Sequence, residues 1–421
     1  MAREMKDSGI EWIGEIPLMW KLSKIGNVYS ERRIKVSDRD YQPLSVTMKG
    51  ILPQLGTVAK TDAHDDRKLL CRGDFAINSR SDRRGSCGIS KMDGSVSLIN
   101  IVLQPKTEMD CQYYEWVFHS TMFSDEFYKW GHGIVDDLWT TGWQEMKKIA
   151  IPAPILQEQK KIALFLNEKC NKLDHVLEKT RESIEEYKKL KQVVITQAVT
   201  KGVRGNREMK DIRSTWFGQI PSDWEMRKIK YVFKIQKDIA GEEGHTVLSI
   251  TQKGIKPKDL SKNEGQLAEN YSNYQLVHIG DFAMNHMDLL TGWVDVSQYE
   301  GVTSPDYRVF RLIDKDKHYS KYYLYLMQMC YMNRIFYGLG QGVSGLGRWR
   351  LQADKFLNFS ITVPSYEEQE EIANYLDQKC SAIDELIAKK EQYLSEIENY
   401  KKSLIYEYVT GKKEVPQEYQ A

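Results

Sequence analysis

Residues 6–20 read KDSGIEWIGEIPLMW, and residues 210–224 read KDIRSTWFGQIPSDW. Lys6-Asp7, Trp12, Gly14, Ile16-Pro17 and Trp20 all return in register. A second block, PILQEQKKIALFLNEKCNKLD over residues 154–174, returns over residues 364–384 as PSYEEQEEIANYLDQKCSAID and keeps its Pro, Glu-Gln, Ile-Ala, Leu, Lys-Cys and Asp. The chain thus holds two copies of a unit of roughly 200 residues, a built-in approximate two-fold symmetry that suits a protein meeting two similar surfaces at once.

The second block opens a stretch with no Pro or Gly from residue 157 to residue 201, rich in Glu, Lys, Gln and Leu. That composition predicts one uninterrupted helix. Leu166, Cys170, Leu173, Leu177, Thr180, Ile184, Tyr187, Lys191, Val194 and Ala198 follow one another in steps of three and four, the spacing of a heptad seam. The second copy repeats the seam as Leu376, Cys380, Ile383, Ile387, Lys390, Leu394, Ile397, Lys401, Leu404 and Tyr408. Each helix is expected to be about 65 Å long. Two matching seams in one chain pair most simply with each other. Because the second helix must start near the end of the first, the pairing is expected to be antiparallel, with one globular module at each pole. Lys191 and Lys401 are imperfect seam residues that set register or contact a further helix.

Between the blocks lie two modules, residues 21–150 and 225–360, that share only signposts: Leu44-Ser45-Val46-Thr47 to Ile51 against Leu248-Ser249-Ile250-Thr251 to Ile255, and Gly73-Asp74-Phe75-Ala76 against Gly280-Asp281-Phe282-Ala283. Short β-branched and aromatic runs punctuated by Gly, Asn and Asp read as mixed α/β modules with much strand. The fold class is α+β. The expected division is residues 1–153, 154–205, 206–363 and 364–421, alternating module and helix.

The 421 residues carry a formal net charge of +1, an average that hides a partition. Residues 21–84 are net basic, and residues 85–140 and 367–402 are net acidic. Such separation lets one surface attract phosphate while others meet protein. The six cysteines, Cys71, Cys87, Cys111, Cys170, Cys330 and Cys380, show neither a disulfide framework nor zinc-ligand spacing. The start of the chain lacks an apolar leader, and no run of about 18 apolar residues occurs. A reduced cytoplasm is the expected setting, with no membrane and no metal.

Repeats, rod and divergent modules together resemble the DNA specificity subunit of type I restriction-modification systems. The resemblance rests on Trp12 to Pro17 and Trp216 to Pro221, on Pro154 to Ala163 and Pro364 to Ala373, and on the Gly-Asp-Phe-Ala signposts. It covers essentially the whole chain. It implies a non-catalytic subunit whose two target-recognition domains each read half of a bipartite site in double-stranded DNA. Two modification subunits, which carry the S-adenosylmethionine chemistry, dock on the rod, and restriction subunits join that core. No cofactor is expected in this chain.

Two rivals remain. Ser304-Pro305-Asp306-Tyr307 is one residue from the form amino-methyltransferases use to hold a flipped base, and Gly338-Leu339-Gly340-Gln341-Gly342 superficially resembles a cofactor loop. A self-contained adenine methyltransferase would need both in a doubly wound sheet, whereas these glycines follow a Tyr-rich helical stretch and the first repeat lacks both motifs. The second rival is a coiled-coil adaptor for proteins. For DNA contact, Lys49 and Lys253 sit before Gly in matched turns suited to phosphate. Asn78-Ser79-Arg80 with Arg83 and Arg84, Asn285-His286, and Gln341 with Ser344, Arg348 and Arg350 offer the amide and guanidinium groups that discriminate bases. Trp139, Trp143 and Trp349 read as packing residues.

Overall fold

The computed structural model describes residues 3–54, 64–133, 139–259, 270–342 and 349–419. Its contacts divide the chain into two units, Met1–Arg181 with Glu391–Ala421, and Glu182–Lys390. Each unit combines one module with part of both long helices, which differs from the four consecutive segments expected from the sequence.

Each module is built on a four-stranded antiparallel sheet. In the first unit the order is Cys87–Ile89, Phe75–Asn78, Asn100–Pro105, Tyr29–Glu31; in the second it is Val294–Val296, Phe282–Met284, Arg308–Leu312, Phe233–Gln236. The same strand order recurs, so the repeat continues through the stretch where the sequences part. Aromatic side chains fill both cores, with Tyr29, Phe75, Phe118 and Phe123 in one and Phe233, Phe282, Phe310 and Tyr323 in the other. The helices Cys111–His119 and Ser320–Met332 supply the facing layer. Asp110 caps the first of these by accepting the Tyr113 N–H at 2.9 Å.

The Gly-Asp-Phe-Ala signposts mark the entry to the second strand of each sheet. Asp74 accepts the Cys71 N–H at 2.9 Å and pairs with Arg32 at 2.6 Å. Asp281 accepts the His278 N–H at 3.0 Å and pairs with Arg311 at 2.8 Å. The carboxylate keeps its place, but the guanidinium comes from a different strand in each unit: Arg32 follows the edge strand Tyr29–Glu31, and Arg311 lies in the neighbouring strand Arg308–Leu312.

Glu-Gln at the helix start joins the two repeated blocks. Glu158 accepts the Trp20 indole N–H at 2.7 Å and pairs with Arg3. Glu368, 1% exposed, accepts the Trp224 indole N–H at 2.9 Å and pairs with Arg207. Both arginines also lie over the indole they help to fix, with ring distances of 5.3 and 5.7 Å. The following glutamines tie the same helix starts to the modules. Gln159 donates to the Pro154 carbonyl and accepts the Asp110 N–H, while Gln369 donates to the Pro364 carbonyl and accepts the Tyr319 N–H. Asp110 and Tyr319 are the residues before the two module helices, so each glutamine fixes one helix start against another.

The long helices run over Leu156–Lys201 and Tyr366–Val409. Leu166, Cys170, Leu177, Ile184, Leu376, Cys380, Ile383, Ile397 and Leu404 are buried, and Leu173, Tyr187, Val194, Ile387 and Leu394 half-buried. In the first unit Leu166 and Cys170 share a core with Leu404 and Tyr408; in the second, Ala198 and Val199 share one with Leu376 and Cys380. Early residues of one helix therefore meet late residues of the other, which makes the pairing antiparallel within each unit. The two seam lysines hold its register: Lys401 pairs with Asp174 at 2.5 Å, and Lys191 with Asp384 at 2.6 Å.

Both helices end on glycines in the left-handed region, Gly202 at φ +76° and Gly411 at φ +71°. A Cβ on Gly202 would lie 2.8 Å from Glu368 Oε1, and one on Gly411 would lie 2.6 Å from Pro17. The helix ends thus close onto the same Trp-Glu joints that the repeat preserves.

Replacing Glu368 by Ala strands the Trp224 N–H and leaves Arg207 with only its more exposed partner Asp223, and is expected to cost on the order of 2–3 kcal/mol in urea unfolding. Replacing Asp384 by Ala, which breaks a largely exposed pair, is expected to cost about 1 kcal/mol or less. Equal losses in the two variants would contradict the assigned role of Glu368.

Candidate nucleic-acid interface

The matched signposts Leu44–Thr47 with Gly50–Pro53, and Leu248–Thr251 with Gly254–Pro257, are hairpins of the same construction. Thr47 and Thr251 each donate to the carbonyl of the glycine three residues on and each accept an N–H, from Lys49 and Lys253, at 3.1 Å. Gly50 and Gly254 both adopt φ +93°, which only glycine tolerates easily. Lys49 and Lys253 are left exposed at the two tips.

Beside the first hairpin the first module holds a cleft of about 950 Å³, lined among others by Arg39, Arg67, Asn78, Arg83, Arg84 and Asn100. Arg83 and Arg84 are exposed and pair with the surface carboxylates Asp82 and Asp125, Arg84 also lying 5.3 Å from the Tyr128 ring centre. Pairs of that kind are weak enough to be exchanged for phosphate. Arg80 pairs with the same Asp82 at 3.2 Å. Ser79, expected to face DNA, is 2% exposed and donates its hydroxyl to the Ile99 carbonyl. It holds the turn that presents its neighbours. Arg67, not singled out from the sequence, is 8% exposed and held by Ser95 through Nε at 2.9 Å; burial lowers its pKa.

In the second module the structure brings Asn285, His286, Gln341 and Arg350 together. Gln341 and Arg350 exchange backbone hydrogen bonds, and the Leu351 N–H donates to the His286 carbonyl. Asn285 Oδ1 accepts the N–H groups of Met287 and Asp288. Burial, with Arg308 and Arg350 adding to it, pushes the His286 pKa down to about 4. Arg308 was not marked in the sequence. It is 6% exposed, lies 4.9 Å from the Phe356 ring centre and donates one N–H to the Leu351 carbonyl. Its other terminal nitrogen and His286 Nδ1 have no partner among the described residues. Ser344 and Arg348 lie outside the described residues.

The methyltransferase-like motifs occupy structural turns. Tyr307 N–H donates to the Ser304 carbonyl, and Gln275 clamps the turn by donating to the carbonyls of Ser304 and Tyr307. The glycine run begins in the last turn of the short helix Ile335–Leu339, and a Cβ on Gly340 would meet Trp349 at 2.5 Å. Trp349 donates its indole N–H to the Tyr337 carbonyl and is a packing residue as expected. Among the described residues no helix is long and apolar enough to cross a membrane, and no group of three His, Cys, Asp or Glu side chains is placed to hold a metal.

Residues 221–399 match the family model described as the type I restriction modification DNA specificity domain. Over that stretch the chain is similar to the type I DNA specificity domain. It is 30% identical over 280 residues to the type I restriction enzyme MjaVIII specificity subunit of Methanocaldococcus jannaschii, covering 63% of this chain and 62% of the relative. It is 27% identical over 216 residues to the putative MjaX specificity subunit of the same organism, covering 49% of that relative. The matches therefore span 62% and 49% of these two relatives' length. A chain from a structure of complex assembly and conformational transition in a type I R-M system superposes with TM-score 0.70 at 12% identity, over 94% of this chain and 98% of the other. The HsdS subunit from Thermoanaerobacter tengcongensis does so with TM-score 0.50 at 16% identity and the same coverage. At those identities the structural likeness concerns the fold.

His286 gives the second module a pH signature. In the native fold it stays neutral down to about 4, whereas in the unfolded chain it takes up a proton near its ordinary value of about 6.5. Between those limits the unfolded state binds more protons, so stability is lost as pH falls through the window. His286→Gln is expected to flatten that part of the stability–pH curve; an unchanged slope would contradict a buried neutral imidazole.

Proposed function

We propose that this chain is the DNA specificity subunit of a type I restriction-modification complex, reading a bipartite, asymmetric site in double-stranded DNA. The observation that carries the reading is the pairing of one scaffold with two different faces. The strand order and the lysine-tipped hairpins repeat, while a cleft lined by arginines and asparagines in the first module is matched by a His-Arg-Gln cluster in the second. Repeated lysines position a duplex through its phosphates, and different side chains beside them read different bases.

In this reading the chain neither methylates nor cleaves. S-adenosylmethionine belongs to separate modification subunits, two of them to match the pseudo-two-fold repeat, and cleavage belongs to restriction subunits joined to the same core in the cytoplasm. The specificity domain match and the specificity-subunit relatives support it over a self-contained methyltransferase, as does the use of Ser304 to Tyr307 as a clamped turn.

The test is methylome sequencing in a methylation-free host expressing this chain with its modification subunit. The expected result is adenine methylation at two unlike short half-sites about one helical turn apart, with no methylation when either component is expressed alone. A continuous site, a perfect palindrome, or methylation by this chain alone would overturn the proposal.

A further inference from the structure

We infer that Asn78 and Asn100 act together as the reader of a single adenine in the half-site met by the first module, an inference that rests on the DNA-reading function proposed above. The strands Phe75–Asn78 and Asn100–Pro105 are antiparallel neighbours, and their register sets Asn78 directly opposite Asn100. Side chains so placed have Cβ atoms about 4.5–5.5 Å apart. Both residues line the arginine-rich cleft, and both are more than nine-tenths buried, at 7% and 4% exposure.

Each amide is held by one end only. Asn78 Oδ1 accepts the Arg80 N–H at 3.1 Å, so that end must be the oxygen, and Nδ2 is left as a donor without a partner among the described residues. Asn100 Nδ2 donates to the Ser97 carbonyl at 3.1 Å, so that end must be the nitrogen, and Oδ1 is left without a partner among the described residues. The chemistry of the neighbours fixes both orientations. A buried acceptor with nothing to accept destabilises the free protein and is satisfied when a donor arrives.

The wall of the cleft therefore holds one free donor beside one free, buried acceptor. Among the major-groove edges only adenine offers the complement, its N7 accepting and its N6 amino group donating. Guanine sets O6 against Asn100 Oδ1, cytosine lacks the acceptor, and thymine lacks the donor. Two asparagines here supply what one bidentate asparagine supplies elsewhere. The second module does not repeat the device: Asn285 uses its Oδ1 in the same kind of turn as Asn78, but Tyr307 stands at the place matching Asn100. The adenine contact belongs to one half-site only.

The probe is a duplex library randomised across both half-sites, from which the full-length chain selects ligands as wild type, Asn78→Leu and Asn100→Leu. Wild type is expected to select adenine at one position of one half-site. Each variant is expected to lose that preference roughly tenfold or more, while retaining selection at the other half-site, which reports that the variant is folded. Placing 7-deazaadenine at the selected position removes N7 and is expected to weaken wild type by a similar factor and Asn78→Leu hardly at all. If wild type selects a bipartite site but the variants keep every base preference, or weaken all sequences alike, the two asparagines do not read a base. If wild type selects no bipartite site, the function proposed above fails with it.

Discussion

A carboxylate holding an indole N–H and an arginine at the start of each long helix, half-buried at Glu158 and fully buried at Glu368, is the contact on which the rest of the molecule depends. Glu158 with Trp20 and Arg3, and Glu368 with Trp224 and Arg207, join segments far apart in sequence. A carboxylate drawn away from water depends on having its partners in place, which explains why the Trp-containing entry and the Glu-Gln helix start return together. The adjacent glutamine extends the joint to the module's own helix, and the glycines that end the long helices leave room for it. The orientation of a module on its helix is thereby set by a few hydrogen bonds that do not involve the face left for a ligand.

That separation of joint from face accounts for what was legible. The repeated blocks, the helix limits and the seam follow from sequence because each is local or periodic: Leu166, Cys170 and Leu177 recur on one stripe, and Gly202 closes the helix. The hairpin tips at Lys49 and Lys253 were equally visible, since a Thr-x-Lys-Gly turn is a local device. Arg3 and Arg207 could have been found, because they keep the same offset as the Trp-containing block. What could not be read was anything decided across strands. Arg32 and Arg311 serve the same carboxylate from different strands, and Asn100 and Arg308 gain their surroundings only from register. Ser79 looked available beside Asn78 and Arg80, yet the alternation of the chain turns its hydroxyl inward.

The long helices show how weak interactions specify pairing that stronger ones cannot. Apolar seams tolerate slippage, because one leucine resembles another. Lys191 with Asp384 and Lys401 with Asp174 are worth little in stability as largely exposed pairs, but a shift in register brings lysine toward apolar neighbours and leaves the aspartates unpaired. Repetition of the same ion pair in both units follows from the repeat itself: each lysine and each aspartate occurs once per copy, and antiparallel pairing crosses them.

The central claim is that two modules of one scaffold read two unlike half-sites independently. Exchanging residues 21–150 for the corresponding module of another specificity subunit, and sequencing the methylome of the host, tests it most directly. The account predicts that one half-site changes to that of the donor while the other half-site stays as it was. A site unchanged by the exchange, or altered in both halves, would contradict it.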